Sequence, residues 1–168
     1  MVQHSGRLQK GLYSAEERRR RDNTVWTTVQ GILAPLQFLV FLVSAVLVLR
    51  FLLTGEGYGA AATSVIVKTA TLYAIMITGA IWEREVFGRY LFAPAFFWED
   101  VVSMLVMALH TAYLVVLVTH YMTPREQMIL ALAAYVSYVV NAAQFVLKLR
   151  AANIQARRTP QSLAEVAQ

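Results

Sequence analysis

Four long apolar runs, separated by short polar segments, dominate the pattern of this chain. They cover residues 28–53, 61–82, 99–118 and 128–149. Each run is close to the ~20 residues that an α-helix needs to cross a hydrocarbon core of ~30 Å. The pattern therefore predicts an all-α integral membrane protein, a bundle of four transmembrane helices in one domain over residues 1–168. The more polar ends, residues 1–13 and 152–168, are predicted to be mobile.

Composition agrees with this pattern and limits the chemistry. Apolar residues make up 58% of the 168 residues and charged residues 15%, a balance typical of integral membrane proteins. The chain has no cysteine, which excludes disulfides, thiolate catalysis and metal centres with cysteine ligands. Neither a phosphate-binding loop nor a G-x-G-x-x-G motif occurs, so nothing indicates a nucleotide or nucleic-acid site.

Basic residues are concentrated on one side of the predicted bundle. When the four runs are followed in order, 12 of the 15 basic residues lie on the side that holds both termini. These are Arg7, Lys10, Arg18–Arg21, Arg84, Arg89, Lys148, Arg150, Arg157 and Arg158. Because cytoplasmic segments of membrane proteins carry an excess of Lys and Arg, both termini are predicted to be cytoplasmic.

Each apolar run also carries polar residues on one helical face. Prominent among them are Gln37, Lys68, Ser103, His110 and Asn141. Lipid cannot satisfy their hydrogen-bonding groups, so the polar faces are predicted to meet in a shared interior. Hydrogen bonds between helices explain such residues without any ligand, and the pattern leaves that alternative open.

The start of the third run, Trp98-Glu99-Asp100, is the strongest candidate for chemistry. Glu99 and His110 are eleven residues apart, about three helical turns, so they share one face. Ionisable groups at membrane depth are costly and often mark function. The two carboxylates also place negative charge at a helix N-terminus, which is a purely structural use of the same residues.

Five stretches of the sequence carry a resemblance to a known family. They are VWTTVQGILAPLQFLVFLVS, RFLLTGEGYGAA, LYAIMITGAIWE, YLFAPAFFWEDVVSMLVMALHTAYL and ALAAYVSYVVNAAQFVLKLRAA. The similarity runs from about Tyr13 to Ala152 and includes all four apolar runs. In these stretches the chain resembles the 3-vinyl bacteriochlorophyllide hydratase family, for which older names use 2-vinyl.

The resemblance implies a membrane enzyme, a hydro-lyase of bacteriochlorophyll biosynthesis. Such an enzyme adds water to the C3 vinyl group of a chlorophyllide or bacteriochlorophyllide and forms the 3-(1-hydroxyethyl) pigment. No separate cofactor is implied, because the substrate itself carries magnesium. The implied location is the bacterial inner, intracytoplasmic photosynthetic membrane. The implied partners are the tetrapyrrole, the lipid bilayer and other pigment-biosynthesis enzymes, with no nucleic acid.

Vinyl hydration needs an acid, a group that orients water and an apolar slot for a flat ring. We expect Glu99 or Asp100 to supply the proton, because adjacent carboxylates resist ionising together. Glu99 is favoured because it shares the His110 face, and Glu83 is the next candidate. His110 is expected to orient the water or to ligate the pigment magnesium.

The other candidate residues are expected to bind the pigment. Aromatic rings pack well against a flat macrocycle, and basic side chains near the cytoplasmic mouth suit its anionic propionate. The candidates are Trp82, Phe96, Phe97 and Trp98 for the macrocycle, Arg84, Arg89 and Lys148 for the propionate, and Gln37, Asn141 and Lys68 for the polar lining.

Two readings from other classes of protein stay open. A noncatalytic pigment-binding carrier, or an assembly subunit of a photosynthetic membrane complex, needs the same apolar slot and magnesium ligand. A small quinone- or proton-handling subunit would use His110 and Lys68 as relay groups. Only the hydratase needs a proton donor beside the vinyl group, so the carboxylates favour the enzyme.

Overall fold

The computed structural model describes residues 12–166, where it contains five α-helices and no strand. The helices are α1 (Ala15–Asn23), α2 (Val25–Thr54), α3 (Tyr58–Phe87), α4 (Phe97–Thr119) and α5 (Pro124–Val166). The description leaves out residues 1–11, which include Arg7 and Lys10, and residues 167–168. It also leaves out the side chains of residues 153 and 155–166, which include Arg157 and Arg158. Most of the predicted mobile N-terminal end and part of the predicted basic side therefore lie outside the description, whereas the backbone of residues 152–166 belongs to α5. The all-α prediction is confirmed.

Helices α2, α3 and α4 and the first part of α5 are long and apolar enough to cross a membrane. In α5 this part is Pro124–Ala152. Many large apolar side chains of these helices are exposed, as a surface facing acyl chains requires. The chain is thus a multi-pass helical membrane protein.

Short α1 precedes the first membrane helix and is held at a defined position. Ser14 begins it with a capping box: the Glu17 amide donates to the Ser14 hydroxyl at 3.2 Å, and the Ser14 amide donates to the Glu17 carboxylate at 2.7 Å. Thr24 has an extended backbone, which ends α1 and caps α2. The Thr24 hydroxyl also bonds the Glu85 carboxylate of α3, so α1 packs beside the end of α3 rather than continuing α2.

The four long helices form two antiparallel hairpins. Gly55 and Gly57, both with positive φ, join α2 to α3, and His120 in the left-handed region ends α4 before α5. Packing is closest within each hairpin, whereas contacts between the hairpins are less extensive. Tight loops favour pairing of neighbouring helices, so space between helices is expected where one hairpin meets the other.

The two ends of the bundle differ in packing. Towards the α2–α3 turn the Ser44 hydroxyl lies 2.7 Å from that of Ser64 and 2.5 Å from that of Tyr135, and the Tyr58 hydroxyl donates to the side-chain oxygen Oε1 of Gln127 at 2.5 Å. Side chains from all four membrane helices fill this end. The opposite end, which carries α1 and the α3–α4 connection, contains a cavity.

The predicted polar interior exists. All five of the polar side chains chosen from the sequence are buried: Gln37, Lys68, Ser103, His110 and Asn141. That prediction is confirmed. The structure separates them into two groups, however, because three contribute to the cavity and two lie beyond its closed end.

Candidate functional site

A cavity of about 750 Å³ lies between the two hairpins, in the half of the bundle next to α1. Its volume is within the range of ~300–1,000 Å³ typical of small-molecule sites. Its walls are mostly apolar and come from all four membrane helices. Exposed side chains of Pro35 and Phe38 on α2 and of Val146 and Leu149 on α5 border it, so the cavity is open towards the lipid side between these helices.

Two buried carboxyl groups from different helices form the polar part of the wall. Glu83 of α3 is 5% exposed and Asp100 of α4 is 4% exposed, and both line the cavity. Their side chains are within hydrogen-bonding reach of each other. A hydrogen bond between two carboxyl groups requires a proton on one of them, which makes this pair a candidate acid.

The α3–α4 connection supports the pair with consecutive backbone amides. The Phe92 amide donates to Asp100 Oδ2 at 2.7 Å, and the Ala93 amide donates to Glu83 Oε2 at 3.3 Å. Phe92 has φ of 59°, a left-handed conformation that is unfavourable for a bulky side chain. Strain of this kind persists where the surroundings require it, and here it accompanies two amides that bond the carboxyl pair.

Glu99, the acid favoured from the sequence, is not brought to the cavity. Its carboxylate instead accepts a hydrogen bond from Lys148 Nζ at 2.6 Å. The Asn141 amide donates to the Glu99 backbone carbonyl at 2.9 Å and to the Ser103 hydroxyl at 3.0 Å. Because one residue turns a helix by about 100°, consecutive carboxylates on α4 meet different neighbours. Of the three candidate carboxyl groups, the structure thus brings those of Asp100 and Glu83 to the cavity and leaves that of Glu99 outside its lining.

Aromatic side chains cover the cavity near the carboxyl pair, but they are not all the predicted ones. Trp82 and Phe96 line it, with ring centroids 5.8 Å apart in an edge-to-face arrangement, and Phe145 stacks on Phe96 at 5.9 Å. Phe97 and Trp98 are 43% and 69% exposed and do not line the cavity. The first turn of α4 points these two rings outward while Phe96 packs inward, so the structure does not bring the two predicted rings to the cavity.

The predicted basic residues also lie elsewhere. Arg84 and Arg89 are exposed, and Arg84 stacks over the Tyr90 ring at 4.5 Å and bonds its hydroxyl. Neither arginine lines the cavity, because Arg84 in the last turn of α3 and Arg89 just after that helix both point to the surface. Arg21 of α1 lines it instead. Sequence reasoning treated Arg21 only as part of a charged run, although the Ser14 capping box was a sign that this segment is ordered.

Of the predicted polar lining, the structure brings Gln37 and Asn141 to the cavity. Gln37 is 3% exposed, and its buried Oε1 has no hydrogen-bond partner among the described residues. Oxygen atoms of this type are suitable ligands for magnesium.

Lys68 and His110 are fully buried but do not line the cavity. They lie one helical turn beyond Leu72 and Val106, which line its closed end. Lys68 Nζ sits 3.8 Å from the centroid of the Tyr138 ring. His110 Nδ1 donates to the Val106 carbonyl at 2.8 Å, and its Nε2 has no partner within the described residues. The Lys68 and His110 side chains are thus at the far end of the cavity from the carboxyl pair, outside its lining.

The fold and the cavity define a class of protein. Membrane helices surround an apolar cavity of ligand size that opens towards lipid and has an acid–base pair on its wall. These features belong to a membrane protein that binds a lipophilic ligand and has groups able to transfer protons to it.

The chain belongs to the 2-vinyl bacteriochlorophyllide hydratase family. The family model described as 2-vinyl bacteriochlorophyllide hydratase (BCHF) matches residues 13–151. This confirms the resemblance noted in the sequence.

Two relatives support the same membership. The protein named 2-vinyl bacteriochlorophyllide hydratase of Rhodobacter capsulatus is 65% identical over 147 residues, which are 88% of this chain and 85% of the relative. The protein of the same name from Cereibacter sphaeroides is 64% identical over 144 residues, which are 85% of this chain and 89% of the relative. No solved structure matches the chain significantly.

Proposed function

We propose that this chain is a membrane hydratase that adds water to the C3 vinyl group of a chlorophyllide-type pigment in bacteriochlorophyll synthesis. The family and the names of the two relatives support the activity. The observation that carries the mechanism is the Glu83–Asp100 carboxyl pair on the wall of an apolar cavity. A carrier needs the cavity alone, whereas protonation of a vinyl group needs an acid beside it.

The apolar cavity suits a flat, lipophilic macrocycle. Trp82 and Phe96 give it aromatic walls near the carboxyl pair, and the opening between α2 and α5 allows the pigment to enter from the bilayer. Asn141 fixes α4 through its hydrogen bonds, so it positions the wall that carries Asp100.

The reaction proceeds by protonation followed by water attack. The proton shared by Glu83 and Asp100 goes to the terminal vinyl carbon, and the positive charge that forms on the inner carbon is delocalised into the macrocycle. Water then forms a C–O bond to the inner carbon, and the carboxylate takes the proton that this water loses. The pair is thereby restored. The net change is addition of one water, which needs neither an oxidant nor a reductant, so no cofactor is proposed.

We assign the axial ligand of the pigment magnesium to Gln37. Its Oε1 is buried and unpartnered among the described residues, and its side chain lines the cavity. His110 Nε2 is also unpartnered and was the sequence-based candidate. A macrocycle in the cavity reaches His110 only if it displaces Tyr138 and Val106, which lie at the closed end.

We place both termini on the cytoplasmic side of the bacterial inner, photosynthetic membrane. Support comes from the described basic residues of one end of the bundle, which are Arg18–Arg21, Arg84, Arg89, Lys148 and Arg150. The cavity opens to the lipid in that half of the bundle, where other pigment-biosynthesis enzymes would deliver the substrate. These enzymes and the lipid bilayer are the proposed partners.

The test uses purified protein in lipid nanodiscs with a 3-vinyl chlorophyllide. Conversion is measured in two ways. The red absorption band shifts to the blue because the macrocycle loses a conjugated vinyl group, and the pigment mass increases by one water. Ala142 lines the cavity and Ala143 is exposed, so the Ala142→Trp and Ala143→Trp variants form a matched pair. Conversion by the parent and the Ala143→Trp variant, with loss in Ala142→Trp, is expected. Binding of the pigment by the parent without conversion would favour the carrier.

A further inference from the structure

Arg21 lines the cavity but takes no part in the proposed protonation and water attack. Among the described residues that line the cavity, it carries the only positive charge, and the two other charged residues there are the acids Glu83 and Asp100. An anionic group on a ligand is repelled by the acids and attracted by the guanidinium. The cavity is therefore electrostatically asymmetric.

Contacts within the N-terminal segment hold the guanidinium in place. It lies 4.8 Å from the centroid of the Tyr13 ring, and that ring stacks on Phe87 at 5.7 Å. Burial raises the pKa of the Tyr13 phenol, so the ring under the arginine stays neutral. The Thr27 hydroxyl donates to the Arg21 backbone carbonyl at 2.6 Å, which fixes the junction between α1 and α2.

The guanidinium has only an exposed carboxylate as its ion-pair partner among the described residues. Its Nε and Nη2 face the neighbouring carboxylate of Asp22, at 2.8 Å and 2.7 Å from Oδ1. Asp22 is an exposed residue, and exposed ion pairs contribute little free energy. A ligand carboxylate in the cavity can therefore replace Asp22 and accept the two parallel hydrogen bonds that a guanidinium donates.

The depth of Arg21 suits a carboxylate attached to an apolar ring. Arg21 lies in α1, shortly before the first residue of the membrane helix α2, Val25, which places it near the membrane surface. A free carboxylate is costly in the hydrocarbon core and stays near that surface while the macrocycle is buried.

We propose that Arg21 binds the propionate carboxylate of the tetrapyrrole and selects pigments that carry a free acid over their esters. This inference rests on the proposed function and names the residue that holds the anionic end of the substrate. It replaces Arg84 and Arg89 in that role, because neither reaches the cavity.

The experiment compares a free 3-vinyl chlorophyllide with its propionate methyl ester. Equilibrium binding, measured by quenching of tryptophan fluorescence, and initial rates of hydration are determined for the parent and for Arg21→Gln. Arg21→Lys keeps the charge without the planar fork of donors. Arg19→Gln is the matched control, since Arg19 belongs to the same helix and run but is exposed and does not line the cavity.

In the parent, the free acid is expected to bind about 10- to 100-fold more tightly than the ester, the scale of a charge-assisted hydrogen bond. Arg21→Gln should remove this preference by weakening binding of the acid, with a raised KM, a nearly unchanged kcat and no change for the ester. Arg21→Lys should restore part of the preference, and Arg19→Gln should retain all of it.

Equal loss of acid and ester binding in Arg21→Gln would show a structural role and overturn the inference, as would a parent that does not distinguish the two pigments. Failure of the hydratase proposal is a separate result. In that case neither pigment is hydrated by the parent, while the binding preference and its loss in Arg21→Gln still decide the role of Arg21.

Discussion

Glu99 and Asp100 are neighbours in the sequence, yet α4 places their carboxyl groups in different surroundings. Glu99 pairs with Lys148 of α5 at 2.6 Å and does not line the cavity. Asp100 lines the cavity, meets the carboxyl group of Glu83 and accepts a hydrogen bond from the Phe92 amide. One carboxylate has a positive partner and the other has a second carboxyl group.

This difference indicates separate tasks for the two faces of α4. The carboxylate paired with Lys148 joins α4 to α5 and lies outside the cavity lining, so it has no ligand beside it to protonate. A carboxyl pair that shares a proton can donate it and take it back. The face that meets α5 therefore holds the bundle together, and the face on the cavity carries the proposed chemistry.

The largest expected effect comes from the carboxyl pair. Asp100→Asn and Glu83→Gln keep the shape of the side chains but remove the shared proton, so each should lower kcat by about 10²- to 10⁴-fold. Pigment binding should change little, because the cavity walls remain. Rates are measured in single-turnover hydration assays, and binding by fluorescence serves as the control for folding.

Glu99→Gln is the matched variant on the other face of α4. It should lower kcat by less than about tenfold, since the Glu99 carboxylate does not reach the cavity. A loss in Glu99→Gln as large as in Asp100→Asn would place the acid on the Lys148 side and reverse the assignment of the two faces.

A smaller effect is expected at the magnesium ligand. Gln37→Leu should weaken binding of the magnesium pigment by about tenfold, the scale of one lost polar contact. It should leave binding of the magnesium-free pigment unchanged. His110→Leu should leave both unchanged, because His110 does not line the cavity. The opposite result for the two variants would place the metal at the closed end, on the face of α4 that His110 shares with Glu99.

The smallest effect on catalysis is expected at the ion pair. Lys148→Met retains packing near Phe96 but leaves the largely buried Glu99 carboxylate without its partner, so stability should fall by about 1–3 kcal/mol. The Glu99→Gln/Lys148→Met double variant should recover much of this loss, with kcat close to the parent value. Thermal unfolding in detergent of the parent, the two single variants and the double variant gives the coupling energy between Glu99 and Lys148. A coupling energy of zero would contradict a structural role for the pair.

Hydropathy alone predicted the helical architecture because a bilayer imposes length and polarity on every spanning segment. The helices nevertheless extend past the apolar runs. The second run was placed at residues 61–82, whereas α3 covers Tyr58–Phe87. Its end is set by Gly88, whose positive φ allows the helix to terminate, and helical backbone does not require apolar side chains.

The candidate site was predicted in part. Helical periodicity placed Gln37 and Asn141 towards the interior, and both line the cavity, as does Trp82, which was proposed as an aromatic flank of the macrocycle. It favoured Glu99 over Asp100 because Glu99 shares the His110 face, whereas the neighbours on α3 and α5 leave Asp100 on the cavity and pair Glu99 with Lys148. Arg21 was missed because its role depends on how α1 folds against α3, a contact that no local pattern records.

The sequence by itself determined that this chain forms membrane helices with buried polar faces, and its similarity established the family. Periodicity specifies which side of a helix avoids lipid, since that depends on residues three and four positions apart. Only the tertiary structure decided which buried groups meet. Pairing of Glu99 with Lys148, contact of Asp100 with Glu83 and entry of Arg21 into the cavity all depend on the rotation and position of one helix against another, which side chains distant in the sequence fix together.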